Sequence, residues 1–222
     1  MIETTVYITD ISCLKEPNVF EALYRNLPKE RQEKIDRLLL PEDRQRSLGG
    51  AVLLKQVLFR LGISSFELSY GEKGKPFLQH EPDVFFNLSH SGDKVICAVS
   101  GAEIGCDIEK IRKLEFDVAG RFFSPQEAES IKHAAGDDEK KELFFRLWTL
   151  KESFVKATGR GMTPGFGENS LELIPGGAKS VKSAGEVYHF KSFSPENGYQ
   201  VSLCGRAEDV HATTIVPFNI VV

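Results

Sequence analysis

The sequence predicts an α+β fold built from two similar lobes. Two observations carry this: helical patterning followed by strand patterning occurs twice along the chain, and the strands cluster between turn signals instead of alternating with helices. A third is composition. With 222 residues, 41% of them hydrophobic, and 16 phenylalanines, the chain can fill a sizeable core. The boundary between the lobes is expected near residues 100–104, giving an N-terminal lobe 1–102 and a C-terminal lobe 103–222. No residue-level repeat relates the halves.

Taken in order, residues 29–40 mix charges with Ile35, Leu38 and Leu39. After Pro41, residues 42–61 have the period of a long amphipathic helix that stops at Gly62. FELSY, VFFNLSH and KVICAVS are short β-branched or aromatic runs divided by GEKGKP, HEPD and SGD, the pattern of an antiparallel meander, and strand IGCDIE follows. The second cycle has helices over 125–134 and 140–158 and strands at EVYHFKSF, YQVSLCG and HATTIVPF. Residues 159–167 and 175–186 are glycine-rich and read as loops.

A net charge of -4 is spread over clusters of both signs, with basic residues gathered at 29–46, so bulk nucleic-acid binding is not expected. Cys13, Cys97, Cys106 and Cys204 form no CxxC or Cys/His pair, which argues against a thiol metal site or a disulfide framework. The opening MIETTVYITDISCL lacks a basic region ahead of an apolar stretch, and no run reaches membrane-spanning length. A cytoplasmic protein that engages neither membrane nor nucleic acid is expected.

The chemistry concentrates in two segments. In RLWTLKESFVKATGRGM, Trp148, Glu152 and Lys156 are four residues apart and share one helical stripe. In GCDIEK, Asp107 and Glu109 are two apart, which on a strand directs both carboxylates to one side. Together they suit an oxygen-ligand Mg²⁺ site of the sort that handles a pyrophosphate. The bland readings are an acidic strand edge and a surface Glu152–Lys156 pair worth only ~0.3–0.5 kcal/mol. Trp148 is read as positioning the helix, and Phe144, Phe145 and Phe154 as core.

GKPFL, FFNLSHSG, IGCDIEK, RFFS and LWTLKESFVKATGRGM occur in the order found in surfactin-type (Sfp-type) 4'-phosphopantetheinyl transferases, and the chain resembles that family over most of residues 28–162. The resemblance implies a pseudo-two-fold pair of α+β lobes with the active site in the cleft between them. It implies transfer of the phosphopantetheine arm of coenzyme A to a serine hydroxyl of an apo acyl or peptidyl carrier protein, with adenosine 3',5'-bisphosphate as the other product. Asp107, Glu109 and Glu152 would hold Mg²⁺ (or Mn²⁺), and Glu152 would accept the serine proton directly or through a metal-bound water. Lys156 would reach the transferring phosphate, with Lys151 left without an assigned role.

By the same resemblance, Ser89 and His90 would face the pyrophosphate, Lys75 the adenine nucleotide portion, and Arg31, Lys34, Arg46 and Ser47 the 3'-phosphate. Surface charge on a helix is the rival account of the last four. Arg112, Lys113, Leu114 and Phe116 offer the basic and apolar groups that an acidic carrier protein would dock against. Cys106 stands where the family has an aliphatic residue; if accessible it would confer oxidation sensitivity. A monomer is expected. The competing functions are a non-catalytic coenzyme A or carrier-protein binding module and a Mg²⁺-dependent nucleotide pyrophosphate hydrolase.

Overall fold

The first strand, β1 (Thr5–Asp10), and the long helix α3 (Pro41–Arg60) open the N-terminal half, with α1 (Pro17–Arg25) and α2 (Lys29–Asp36) between them. The computed structural model describes residues 2–113, 122–161, 170–196 and 198–221. Pro41 at the first turn, Glu42 and Asp43 beside it and Arg60 in the last turn suit the α3 dipole. Gly62, at a φ of 85°, takes the left-handed conformation just beyond the helix end.

A hairpin follows, β4 (Phe85–Ser91) with β5 (Lys94–Ser100), turning at Gly92. β1 pairs antiparallel with β5. The second half repeats the plan: β6 (Ile104–Lys110), α4 (Pro125–Lys132), the long α5 (Asp137–Thr158), then the hairpin β10 (Glu186–Phe193) and β11 (Tyr199–Gly205). In each half the last hairpin strand lies between the first strand and its hairpin mate, giving β1-β5-β4 and β6-β11-β10. Identical strand order around a long helix is the similarity between lobes that the sequence pattern implied.

Alternation sorts the core. On β5, Val95, Cys97 and Val99 face Leu48, Leu53 and Val57 of α3, while Ile96 and Ala98 join Ile104, Cys106, Ile108, Val201 and Leu203 of the second sheet. On β11, Cys204 turns the other way, toward Leu150 and Ala157 of α5. The layers therefore run helix, sheet, sheet, helix, and both hairpin-end strands are covered on two faces. Each fully buried aliphatic side chain contributes roughly 1.5–3 kcal/mol.

Four expectations change. HATTIVPF does contain a strand, β12 (Thr214–Pro217), but it pairs in parallel with β1 in the first sheet, and Phe218 sits in the α3 core. The division at 102/103 therefore needs a qualification, because the chain returns to the first lobe after β11. FELSY does not extend the meander: β2 (Leu68–Tyr70) pairs only with β3 (Pro76–Leu78) in a separate two-stranded sheet. The loop expected over 175–186 holds short strands, β8 (Gly177–Ala178) paired with β7 (Leu173–Ile174), and β9 (Val181–Ser183) paired with β10. Cys106 is fully buried and its thiol is pushed up to about 12 by desolvation, which removes the oxidation-sensitive alternative. Among the described residues, no helix is long and apolar enough to cross a membrane.

Candidate functional site

Gly105 sets the site. A Cβ there would lie 2.1 Å from the Ser153 carbonyl oxygen and 2.3 Å from the Ala157 nitrogen, so only glycine lets α5 lie this close to β6. That close approach brings Glu152 and Lys156 over Asp107. The α5 end is itself marked by Gly159 in the left-handed conformation, and its start by Asp137, Asp138 and Glu139.

A cleft of about 430 Å³ opens where the end of β4, β6, α5 and the first turns of α3 meet. Arg31, Arg46, Ser47, Ser89 and His90 line it from the N-terminal half; Asp107, Glu109, Trp148, Glu152 and Lys156 line it from the C-terminal half. The two spacings read from the sequence are thus realised on one cavity. Arg31 and Arg46 stand on one wall and the three carboxylates, with Lys156 among them, on the other.

Lys156 Nζ donates to Asp107 Oδ1 at 2.6 Å and to Ser89 Oγ at 3.0 Å. The surface Glu152–Lys156 pair is not formed; the ammonium reaches across to β6 instead. Desolvation opposes its charged form, yet Asp107 and Glu152 outweigh that and leave the Lys156 pKa raised. Ser89 Oγ donates to Asp107 Oδ1 and Ser91 Oγ to Glu109 Oε2, each at 2.8 Å. Burial, then the neighbouring carboxylates, raises the proton affinity of Glu152; burial foremost does the same for Glu109. Among the described residues no side chain hydrogen-bonds or ion-pairs with the Glu152 carboxylate.

Asp107 Oδ2 is buried without a hydrogen-bond partner among the described residues. A buried carboxylate oxygen left unsatisfied beside two further carboxylates is costly, and a hard divalent cation answers both defects. The all-oxygen donor set fits Mg²⁺. Among the described residues, however, no three His, Cys, Asp or Glu side chains converge as a ready-made cage. This accords with the habit of Mg²⁺ to take a few carboxylates and complete its shell with water and phosphate oxygens.

On the other wall, Arg31 donates to the Ser47 carbonyl at 2.9 Å and to Ser47 Oγ at 3.0 Å, and Arg46 pairs with Asp43 at 2.5 Å. His90 lies on the opposite face of β4 from Ser89; its ring reaches solvent, while burial against the wall lowers its pKa, with Arg46 and Lys156 acting in the same direction. These groups suit a polyanion.

Two expected ligand residues are not brought to the cleft. Lys34 Nζ is held by Tyr70 OH at 3.0 Å and Glu30 at 2.9 Å. Lys75 Nζ donates to Glu103 Oε2 at 2.6 Å, Ala157 O at 2.8 Å and Ile104 O at 3.2 Å, tying its loop to the end of α5. Its ammonium serves as a staple, because the last carbonyls of a helix attract a cation. Arg112 and Lys113 are exposed just beyond β6; Leu114 and Phe116 lie outside the described residues. Trp148 combines the role read for it with a place on the cleft wall, packed against Phe122 and Phe144.

Sequence reasoning missed three supports. Gly105 was legible as a glycine inside a strand run. Ser91 shared the two-residue period of Ser89. Glu127, with Ser124, forms the capping box of α4, and its carboxylate also pairs with Lys151 at 2.6 Å, both side chains 3% exposed. Lys151 thereby anchors α5 to α4. A larger hollow, about 540 Å³, lies at the far end of β4, where Arg206 pairs with Glu186 at 2.5 Å and Glu103 with Lys75.

The sequence is similar to known proteins over most of its length. Residues 103–204 match the model of the 4'-phosphopantetheinyl transferase superfamily, and residues 15–102 that of the 4'-phosphopantetheinyl transferase N-terminal region. The chain is 35% identical over 185 residues to 4'-phosphopantetheinyl transferase Sfp of Bacillus subtilis, covering 81% of this chain and 82% of that one. It is 37% identical over 157 residues to the transferase gsp of Aneurinibacillus migulanus (67% and 65% covered), and 33% identical over 185 residues to HetI of a Nostoc strain (79% and 77%). From its sequence likeness and its doubled α+β plan, the chain belongs to the 4'-phosphopantetheinyl transferase family.

Proposed function

We propose that this protein transfers the 4'-phosphopantetheine group of coenzyme A to a serine hydroxyl of an apo acyl or peptidyl carrier protein, releasing adenosine 3',5'-bisphosphate. The observation that carries the proposal is the facing of Arg31, Arg46 and His90 against Asp107, Glu109, Glu152 and Lys156 across one cleft, in a chain of this family. A pyrophosphate needs cations around it, and its activation needs carboxylates that can hold a metal and take a proton.

In the reaction the serine oxygen forms a bond to the β-phosphorus and the bond from that phosphorus to the bridging oxygen breaks. The serine proton goes to a base, for which Glu152 is the candidate, its carboxylate without a hydrogen-bond or ion-pair partner among the described residues and its proton affinity raised. Lys156 stays charged and offsets negative charge on the transferring group. Arg31, Arg46, Ser47, Ser89 and His90 bind the nucleotide phosphates; Lys34 and Lys75 support the wall behind them. Asp107, Glu109 and Glu152 would hold Mg²⁺ (Mn²⁺ being an alternative), which when bound neutralises pyrophosphate charge.

We assign lobes to residues 1–102 and 103–222, the last strand returning to the first lobe's sheet, and place carrier docking at Arg112, Lys113, Leu114 and Phe116. A cytoplasmic monomer completes the reading. Its test is intact-mass spectrometry of an apo carrier protein incubated with coenzyme A and Mg²⁺, beside Glu152→Gln and chelator controls. A phosphopantetheine mass gain lost in both controls supports it. Coenzyme A cleavage without gain on any carrier would favour a hydrolase and overturn the transferase reading; binding without either would leave a binding module.

A further inference from the structure

β4 and β6 are outer strands of different sheets, with no main-chain ladder between them. Side chains of β4 supply the acceptors instead. Asn87 Oδ1 accepts from the Cys106 amide at 2.9 Å, Ser89 Oγ from the Ile108 amide at 3.4 Å, and Ser91 Oγ from the Lys110 amide at 3.0 Å. Partners advance two residues at a time on both strands, so one face of β4 sets a parallel register with the neighbouring lobe. The serines also donate, Ser89 to Asp107 and Ser91 to Glu109. Each hydroxyl thereby grips a carboxylate and the next amide of β6 together.

We infer that Ser91 is a positioning residue that aims Glu109 into the cleft from the opposite lobe. The inference deepens the cation-site reading of Asp107, Glu109 and Glu152 and rests on it. Ser89 shares Asp107 with Lys156, so Asp107 is held twice; the Ser91 bond is the one polar contact of the Glu109 side chain among the described residues. Without it a three-torsion side chain is released next to the exposed Arg112, whose charge already acts on it. A carboxylate that must share an ion with two others then loses its fixed direction.

The test is Mn²⁺ binding followed by electron paramagnetic resonance on the full chain with coenzyme A present, for wild type, Ser91→Ala and Ser91→Thr. Loss of an outer-shell partner is expected to weaken Mn²⁺ about tenfold in Ser91→Ala, with Ser91→Thr, which keeps the hydroxyl, within about twofold of wild type. Metal-free coenzyme A affinity and thermal midpoint should stay put in both. Unchanged Mn²⁺ affinity in Ser91→Ala overturns the inference. So does equal weakening in both variants with a lowered midpoint, which would mark a packing role. A wild type that binds no Mn²⁺ sinks the cation-site reading itself, and this inference with it.

Discussion

Replacing Gly105 with alanine tests how the site is assembled. The added methyl would stand 2.1 Å from Ser153 O, 2.3 Å from Ala157 N and 2.8 Å from the Lys156 carbonyl carbon, all of them backbone atoms that no rotamer change can move. Ordinary contact begins near 3.4 Å, so α5 must withdraw from β6 by roughly 1 Å. The 2.6 Å bond from Lys156 to Asp107 would then stretch to about 3.6 Å, outside hydrogen-bonding range. Overpacking against backbone belongs at the top of the usual range, about 3 kcal/mol. For a chain of this size that lowers the melting temperature by roughly 6–12 °C. A displacement of about 1 Å at the reacting groups should cost on the order of 10²-fold in transfer rate. The assay is carrier-protein mass gain over time beside thermal unfolding, with Gly71→Ala as control, since its methyl would meet nothing nearer than 3.7 Å. Wild-type rate in Gly105→Ala, even with lowered stability, would refute the claim that this glycine sets the catalytic spacing.

Lys151→Met strands Glu127 as a buried, partly bonded carboxylate and should cost about 3–5 kcal/mol in chemical denaturation, much of it recovered by adding Glu127→Gln. Lys75→Met should lower stability by roughly 1–3 kcal/mol while leaving the KM for coenzyme A unchanged; a raised KM at full stability would instead restore a direct ligand role to its ammonium. Of the four thiols, Cys13 alone should react rapidly with a disulfide reagent in the native protein, all four after unfolding. Reversing charge at Arg112 and Lys113 together should raise the carrier KM about tenfold, fall off with added salt, and spare coenzyme A binding; unchanged carrier kinetics would move the docking face elsewhere.

Local patterning made much of the fold legible. EVYHFKSF and YQVSLCG are strands with the bounds that their alternation implied, and the pair of two-residue and four-residue spacings located the carboxylates and the helix that faces them. Where the reading failed, the deciding partner was remote. Thr214–Pro217 looks like any edge strand, and only the free edge of β1, more than 200 residues away, gives it a sheet. Lys75 and Lys34 carry the charge that a phosphate site needs, but charge alone does not reveal that Ala157 O, Glu103 or Tyr70 already holds it.

Residue type and spacing along one element are short-range properties, and from them came the doubled α+β plan, Asp107 with Glu109, and Trp148, Glu152 and Lys156 on one stripe. Which of those groups touch is set by distances between elements. The tertiary structure decided that Lys156 bonds Asp107 instead of Glu152, that Lys151 is a buried strut on Glu127, and that serines of one lobe aim the acids of the other. The reason is steric and electrostatic together: Gly105 lets helix and strand approach until charges 49 residues apart in sequence share one desolvated cleft, where the nearest opposite charge wins.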